Sequence, residues 1–400
     1  MAIKPLKITS YTTTNALGAG NAASLLALQQ QQSGLSPNHF DGCDLKTFVG
    51  QVADLEKVSL PEHLSEFDCR NNRLTYLGLQ QDNFSDVVLA ARDKYGAGRV
   101  AVFLGTSTSG IQQTELAYAQ LGSQLSSDSR LSADYYYTKT HNTFSLADFV
   151  QQYYGLNGVA HVVSTACSSS AKVFASAYRH MQAGFCDAAI VGGVDSLCLT
   201  TLYGFNSLQL VSEQKCTPWG KDRLGINIGE AAGFALLERS DDASGQLALL
   251  GYGESSDAYH MSTPHPQGRG AAKAMQAALD SAGLNSNDID YINLHGTATQ
   301  SNDSAEDNAV MTVFGDATAA SSTKGWTGHT LGAAGITEVV FGCLSIENSF
   351  IPVNLNTQEL DPTTSANIVM AKNNNTVNRF VSNSFGFGGS NCSLVIGRQG

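Results

Sequence analysis

The tightest constraint on the fold is an order of elements that occurs twice. In the first part of the chain, a strand and small-residue loop over 99–109 precede a strand, a cysteine and a helix over 160–181, then a strand over 186–193. In the second part, a strand and loop over 289–299 precede a turn, a histidine and a helix over 321–349, then the terminal strands. The recurrence is one of structure, not of letters. Alternating strands and helices imply mostly parallel sheets covered by helices. The expectation is an α/β chain of two related halves, 1–245 and 246–400. The polar stretch Asp241 to Gly245 marks their boundary.

Other segments fill in this grammar. Leu6 to Tyr11 predicts a first strand, Asn21 to Gln32 a helix, and Cys69 to Ala91 one long helix with Leu74, Leu77, Val87 and Val88 on its apolar side. Asp128 to Tyr154 is mixed and takes no assignment. Gly204 to Asp222 predicts a long loop, and Gly229 to Glu238 and Leu247 to Gly253 predict strands. Gly270 to Ala282 predicts a helix stopped by Gly283.

The first candidate for chemistry is Cys167. A short apolar run ends in Thr165 and Ala166, then the cysteine, then Ser168 to Ser170, which can cap a helix running through Ala171, Phe174, Ala177 and Met181. A thiol at a helix N-terminus sits at the positive end of the dipole, which predicts a pKa below the free value of about 8.5. Buried structural cysteines are common, so the setting alone leaves both readings open.

The second half supplies His295, in LHGTAT at a strand end, and His329, in TGHTLGAAG before a helix. Each alone reads more readily as a structural histidine. With Cys167 they form a Cys/His/His set, and Cys167 and His295 sit at strand ends, where ligand sites of α/β sheets lie. No acidic residue or third histidine stands beside either at metal spacing, which speaks against a metal. SFGFGGSN, Ser384 to Asn391, is a glycine-rich loop whose backbone N–H groups can bind an oxyanion, or a plain tight turn. Lys324 and Glu338 are either surface charges or a buried pair that tunes the histidines.

Composition narrows the function. Net charge is −12, which disfavours nucleic acid as a partner and requires a local basic patch for any anionic one. The eight cysteines show no CxxC pair, which fits reduced thiols in the cytoplasm. MAIKPLKITS has no apolar leader core, and no run is long enough to predict membrane insertion.

TACSSS, HGTAT, NDSAE, STKGWTGHTLGAAG and NSFGFGGSN follow one another in the order found in β-ketoacyl-acyl-carrier-protein synthases. Along almost its whole length the chain resembles the elongating type II condensing enzymes of fatty acid and polyketide synthesis. The resemblance implies a thiolase-like fold, with duplicated halves in a layered αβαβα arrangement, as a dimer. It implies decarboxylative condensation of malonyl carrier protein with an acyl chain held on Cys167. No free cofactor takes part, since acyl groups ride on the carrier's phosphopantetheine arm. His295 and His329 would polarise the malonyl thioester oxygen. The N–H groups of Cys167 and Phe387 would form a second oxyanion hole.

Further roles carry over by position. Phe385 and Phe387 would gate acyl entry, and Thr297 and Thr299 would bind pantetheine. Lys324 and Glu338 would support the histidines. Glu306, with Asp303 nearby, would be structural, and Thr108 would limit pocket depth. Arg70 and Arg73 would dock the acidic carrier protein. TPWGKDRLGI departs from the family's RPFDxxRDGF: Arg223 remains, and Ile226 stands where phenylalanine is usual. Asn302 replaces a glycine. FDCRNNRL, THNTFSLADFV and DSLCLTTLYGFNSL are similar to synthases of aryl polyene pigments, whose partner can be a chain-length-factor subunit. Three alternatives compete. A thiolase would need a second cysteine where Phe387 stands. A chain-length factor would lack the nucleophile. A Cys–His hydrolase would release acid without a longer product.

Overall fold

A computed structural model describes residues 2–122, 130–239 and 244–398. Asp128 and most of the expected boundary, residues 241–243, lie outside these. Ten strands form one continuous path. In chain order they are β1 (Leu6–Asn15), β2 (Val100–Gly105), β3 (Ala160–Val163), β4 (Ala188–Asp195) and β5 (Ala231–Arg239). There follow β6 (Leu247–Ser256), β7 (Tyr291–Asn293), β8 (Ala319–Ser321), β9 (Arg379–Gly386) and β10 (Ser390–Arg398).

The spatial order is β3-β2-β4-β5-β1 followed by β6-β10-β9-β7-β8. Adding five to each label of the first set, read from its β3 edge, yields the second set read from its β8 edge. Strand directions repeat as well. β3, β2 and β4 run parallel, as do β8, β7 and β9, and the last two strands of each set pair antiparallel. The repeat expected from element order is thus a repeat of topology. Among the described residues, the two sets pair edge to edge where Leu6 faces Leu249 and Lys7 faces Ala248.

Side-chain alternation explains the layers, because successive residues of a strand face opposite sides. In β2, Ala101 and Phe103 face a core shared with helices α4 (Ser169–Gln182) and α7 (Ala334–Asn348). Val100, Val102 and Leu104 face the other way, onto α1 (Arg70–Leu79), α2 (Phe84–Tyr95) and α3 (Ser145–Tyr154). In the second set, Val381 and Val395 face α5 (Arg269–Ala282) and α6 (Gln300–Val313), whereas Phe380, Leu394 and Ile396 face α7. The result is the αβαβα layering of the thiolase-like fold, with α4 and α7 in the middle.

A middle-layer helix has no solvent face, and Ala334 through Ile346 are all buried. Ile336, Val339, Val340, Phe341 and Leu344 each contribute about 1.5–3 kcal/mol by leaving water. The two central helices also meet closely at their starts. A Cβ on Gly335 would lie 2.8 Å from the Ala171 nitrogen, and the Ile336 N–H donates to Ser170 Oγ at 3.1 Å. Small residues here let the two helix starts converge.

Several expectations change. The expected Cys69–Ala91 helix is two, broken at Asp82 and Asn83, whose φ values of 54° and 56° no helix accepts. The expected Gly204 loop begins inside a helix, Leu199–Ser207. The unassigned region contains α3. No helix among the described residues is long and apolar enough to cross a membrane.

Candidate active site

Cys167 lies between β3 and α4, and its neighbour Ala166 takes φ 52°. That left-handed residue turns the chain sharply enough to present the thiol at the helix start. The serines do not cap in the expected manner. Ser168 Oγ and Ser169 Oγ donate back to the Thr165 and Ala166 carbonyls at 2.9 and 2.6 Å, tightening the turn instead.

His329 lies on the matching connection of the second set, between β8 and α7. Its N–H donates to the Asn227 carbonyl at 2.7 Å and its carbonyl accepts from Gly229 at 3.0 Å, so the backbone is pinned on both sides. Its Nε2 is 3.0 Å from Cys167 Sγ. His295 follows β7, and its ring centroid is 5.5 Å from that of His329. Cys167, His295 and His329 line one pocket of about 600 Å³ that opens to solvent, with Ile226, Thr297, Thr299, Phe385 and Phe387.

Hydrogen bonds assign the protons of both rings. The Leu331 N–H donates to His329 Nδ1 at 3.2 Å, so that nitrogen carries a lone pair and Nε2 carries the hydrogen. Lys324 Nζ is 3.4 Å from His295 Nδ1, and an ammonium can only donate. His295 therefore also holds its hydrogen on Nε2. Burial, with Lys324 second, drives both histidines well below the ordinary imidazole value, so they are neutral. The site holds two neutral N–H donors aimed into a pocket beside a thiol.

The same bonds bear on a metal. Sγ and one nitrogen of each ring lie within 4.8 Å of one another, close enough for three ligands. A ligand nitrogen must offer a lone pair, however, and these Nε2 atoms carry hydrogens while their Nδ1 atoms are occupied.

Lys324 and Glu338 form a buried pair at 2.5 Å, and the ammonium also donates to the His295 carbonyl. Burial raises the Glu338 carboxyl to about 7 against the opposing pull of Lys324. Glu306 accepts from the His295 and Gly296 N–H groups, each at 2.8 Å, and so holds the HGTAT turn. Asp303 accepts from Ala298 and Trp219 at 3.2 and 2.9 Å. Thr297 and Thr299 share a hydrogen bond of 2.9 Å at the pocket wall, and Thr299 caps α6.

Two expectations are corrected. The Cys167 thiol is pushed up to about 12, not down, because burial outweighs Lys324 and the Phe387 N–H directed at the sulfur. A dipole helps a thiolate only where the charge is not otherwise stripped of solvent. Thr108 donates its N–H and its Oγ1 to Asp195, both at 2.8 Å. Arg70 is not on the surface. It is 4% exposed and its fork closes on Glu230 at 2.6 and 2.8 Å, with Glu56 behind. Arg73 reaches the surface but is engaged by Asp68 through two bonds of 2.6 Å.

Asp195 was missed. It is fully buried at the end of β4 and accepts from Thr106, Ser107, Thr108 and Gly332. A lone acidic residue closing an otherwise apolar strand, AAIVGGVD, was the available signal.

Residues 79–243 match the N-terminal domain of β-ketoacyl synthase and residues 247–358 match its C-terminal domain. The 3-oxoacyl-[acyl-carrier-protein] synthase 2 of Staphylococcus aureus (strain N315) is 31% identical over 366 residues, 87% of each chain. The ketosynthase ApeO, solved in complex with its chain length factor ApeC from Xenorhabdus doucetiae, aligns with TM-score 0.90 and 36% identity. It covers 99% of this chain and 98% of that one. The ishigamide ketosynthase/chain length factor aligns with TM-score 0.88 and 25% identity over the whole of both chains.

Proposed function

The chain belongs to the β-ketoacyl synthase family, and from that premise we propose how its own residues carry the reaction. It is an acyltransferase, a 3-oxoacyl-acyl-carrier-protein synthase, acting in fatty acid or polyketide synthesis. The observation that carries the residue assignment is Cys167 Sγ at 3.0 Å from His329 Nε2, with His295 on the same pocket wall.

Cys167 takes the acyl group from its carrier as a thioester, and the carrier thiol leaves. The N–H groups of Cys167 and Phe387 hold the tetrahedral oxyanion. Malonyl carrier protein then enters, its pantetheine arm held by Thr297 and Thr299. The Nε2–H groups of His295 and His329 bind the thioester oxygen, where negative charge grows as carbon dioxide leaves. Neutral donors suit this task, because they strengthen as the charge develops. The enolate carbon attacks the acyl carbonyl, the C–C bond forms, and the Cys167 sulfur departs and regains a proton. The product is a β-ketoacyl carrier two carbons longer. Lys324, Glu338, Glu306 and Asp303 position the histidine turns, and Phe385 and Phe387 gate the entrance. No free cofactor takes part.

We also propose two functional halves, 1–245 carrying the nucleophile and 246–400 the histidines, acting in the cytoplasm. The chain pairs with a second ketosynthase-fold subunit, as ApeO does with ApeC. The 36% identity to ApeO and the motifs FDCRNNRL and THNTFSLADFV support an aryl polyene or related polyketide role. With Arg70 buried, Arg73 is the docking cation that remains of the expected pair.

Intact mass after incubation with saturated and polyenoic acyl carrier proteins tests the reading, followed by malonyl carrier protein. The expected result is acyl gain on the wild type and none on Cys167→Ala, then a product longer by two carbons. Thioester hydrolysis without carbon dioxide release would overturn it.

A further inference from the structure

Asp195 lies in the first half, yet one of its oxygens reaches the turn that carries His329. Oδ1 gathers four donors: Thr106 Oγ1 at 2.7 Å, and the Ser107 N–H, the Thr108 N–H and Thr108 Oγ1, each at 2.8 Å. Oδ2 takes the Gly332 N–H, with the Ser107 N–H also at 3.0 Å. Gly332 has to be glycine for this approach, since a Cβ would stand 2.7 Å from Oδ2.

The residue before Gly332 bears on the proton. Leu331 takes φ 53°, a left-handed conformation disfavoured for a branched side chain. The Leu331 N–H belongs to the peptide that follows Thr330 (φ −86°, ψ 25°) and donates to His329 Nδ1, and the next N–H, beyond the left-handed Leu331 Cα, is that of Gly332, which meets Asp195. A strained residue persists only where its surroundings hold it. The adjoining hold is Asp195 on Gly332. A second arm runs from the same carboxylate. Ser107, held by Asp195 through its N–H, donates from Oγ to the Ala166 carbonyl at 3.2 Å, and Ala166 is the left-handed residue before Cys167.

The geometry points to Asp195 as a positioning residue that sets the His329 tautomer. It clamps Gly332, holds the 330–332 turn in which the Leu331 N–H reaches Nδ1, and so leaves the hydrogen of His329 on Nε2, facing Cys167. The tie also fixes the cysteine turn and the histidine turn to one carboxylate, which sets their separation. The inference rests on the condensation reading for its rate consequence and on geometry alone for its tautomer consequence.

Asp195→Asn separates the two oxygens. Four donors crowd Oδ1, so the amide oxygen stays there and the NH₂ group faces the Gly332 N–H, donor against donor. In the full-length protein labelled with ¹⁵N-histidine, the wild type is expected to show His329 protonated on Nε2 alone. The variant is expected to show a mixture. Decarboxylation of malonyl carrier protein is expected to fall at least about tenfold, a fraction of the 10²–10³ cost of losing a whole oxyanion donor. KM is expected to stay within twofold and acyl loading of Cys167 to persist. A folded variant with one tautomer and wild-type turnover overturns the inference. If Asp195→Asn does not fold, Gly332→Ala attacks the same contact from the other side and is expected to produce the same tautomer mixture. If the wild type itself neither loads nor condenses, the condensation reading falls while the tautomer measurement still decides this one.

Discussion

Two connections run from a third strand into a middle-layer helix, and they solve the same problem differently. Residues 164–168 link β3 to α4 and present Cys167 through one left-handed residue, Ala166. Residues 322–333 link β8 to α7 and present His329 beside another, Leu331. The short connection positions one atom by backbone geometry. The long one carries Lys324 toward His295, pins His329 against Asn227 and Gly229, and returns to Asp195. Repeated topology thus supplied two equivalent places, and added length made one of them a platform for several donors.

The contrast breaks most completely at the short connection. Cys167→Ala is expected to abolish acyl loading, read as absence of any mass gain with acyl carrier proteins. At the other turn, His295→Ala is expected to load normally while condensation drops by about 10²–10³-fold, the cost of one oxyanion donor. Normal decarboxylation by His295→Ala would end the role assigned to it.

The third test removes the charge that the long connection carries. Lys324→Met leaves Glu338 buried without a partner, and breaking such a pair costs about 3–5 kcal/mol. Denaturant unfolding is expected to show this loss, and Lys324→Met with Glu338→Leu to recover most of it without recovering condensation.

The pH dependence separates the two connections more gently. With the thiol pushed up to about 12, the thiolate fraction rises with pH past 9 without levelling near 8.5. Alkylation of Cys167 is expected to follow that rise. Both histidines are held well below the ordinary value and stay neutral as pH passes 6.5. Decarboxylation is therefore expected to show no limb at that pH, and a clear one there would contradict the neutral-donor assignment. The smallest effect belongs to the pocket wall. Ile226→Phe adds bulk at a buried position and is expected to cost about 1–3 kcal/mol of stability. It is also expected to shift loading toward shorter acyl chains in the same carrier panel.

Much of this was legible in the letters. Apolar runs marked β2 and β4, because buried parallel strands are apolar on both faces. Gly283 marked the end of α5, with φ 67° that a left-handed cap requires. Cys167 and His295 stood out because each follows a strand end in small-residue surroundings, and His329 because it stands among small residues just before a helix. Asp82 and Asn83, which split the expected long helix, gave no comparable warning, since their helical neighbours continue the same apolar face.

What the chain's order alone determined was the duplicated α/β plan and a candidate trio, Cys167, His295 and His329, because periodicity and turn chemistry are local. What only the tertiary structure decided was the state of that trio. Burial raised the thiol instead of lowering it, and Leu331 and Lys324 set the ring protons. Asp195 reached Gly332, 137 residues further along the chain, and so joined the histidine turn to the cysteine turn. Desolvation and hydrogen-bond partnership depend on what surrounds a group in space, and no local pattern encodes that.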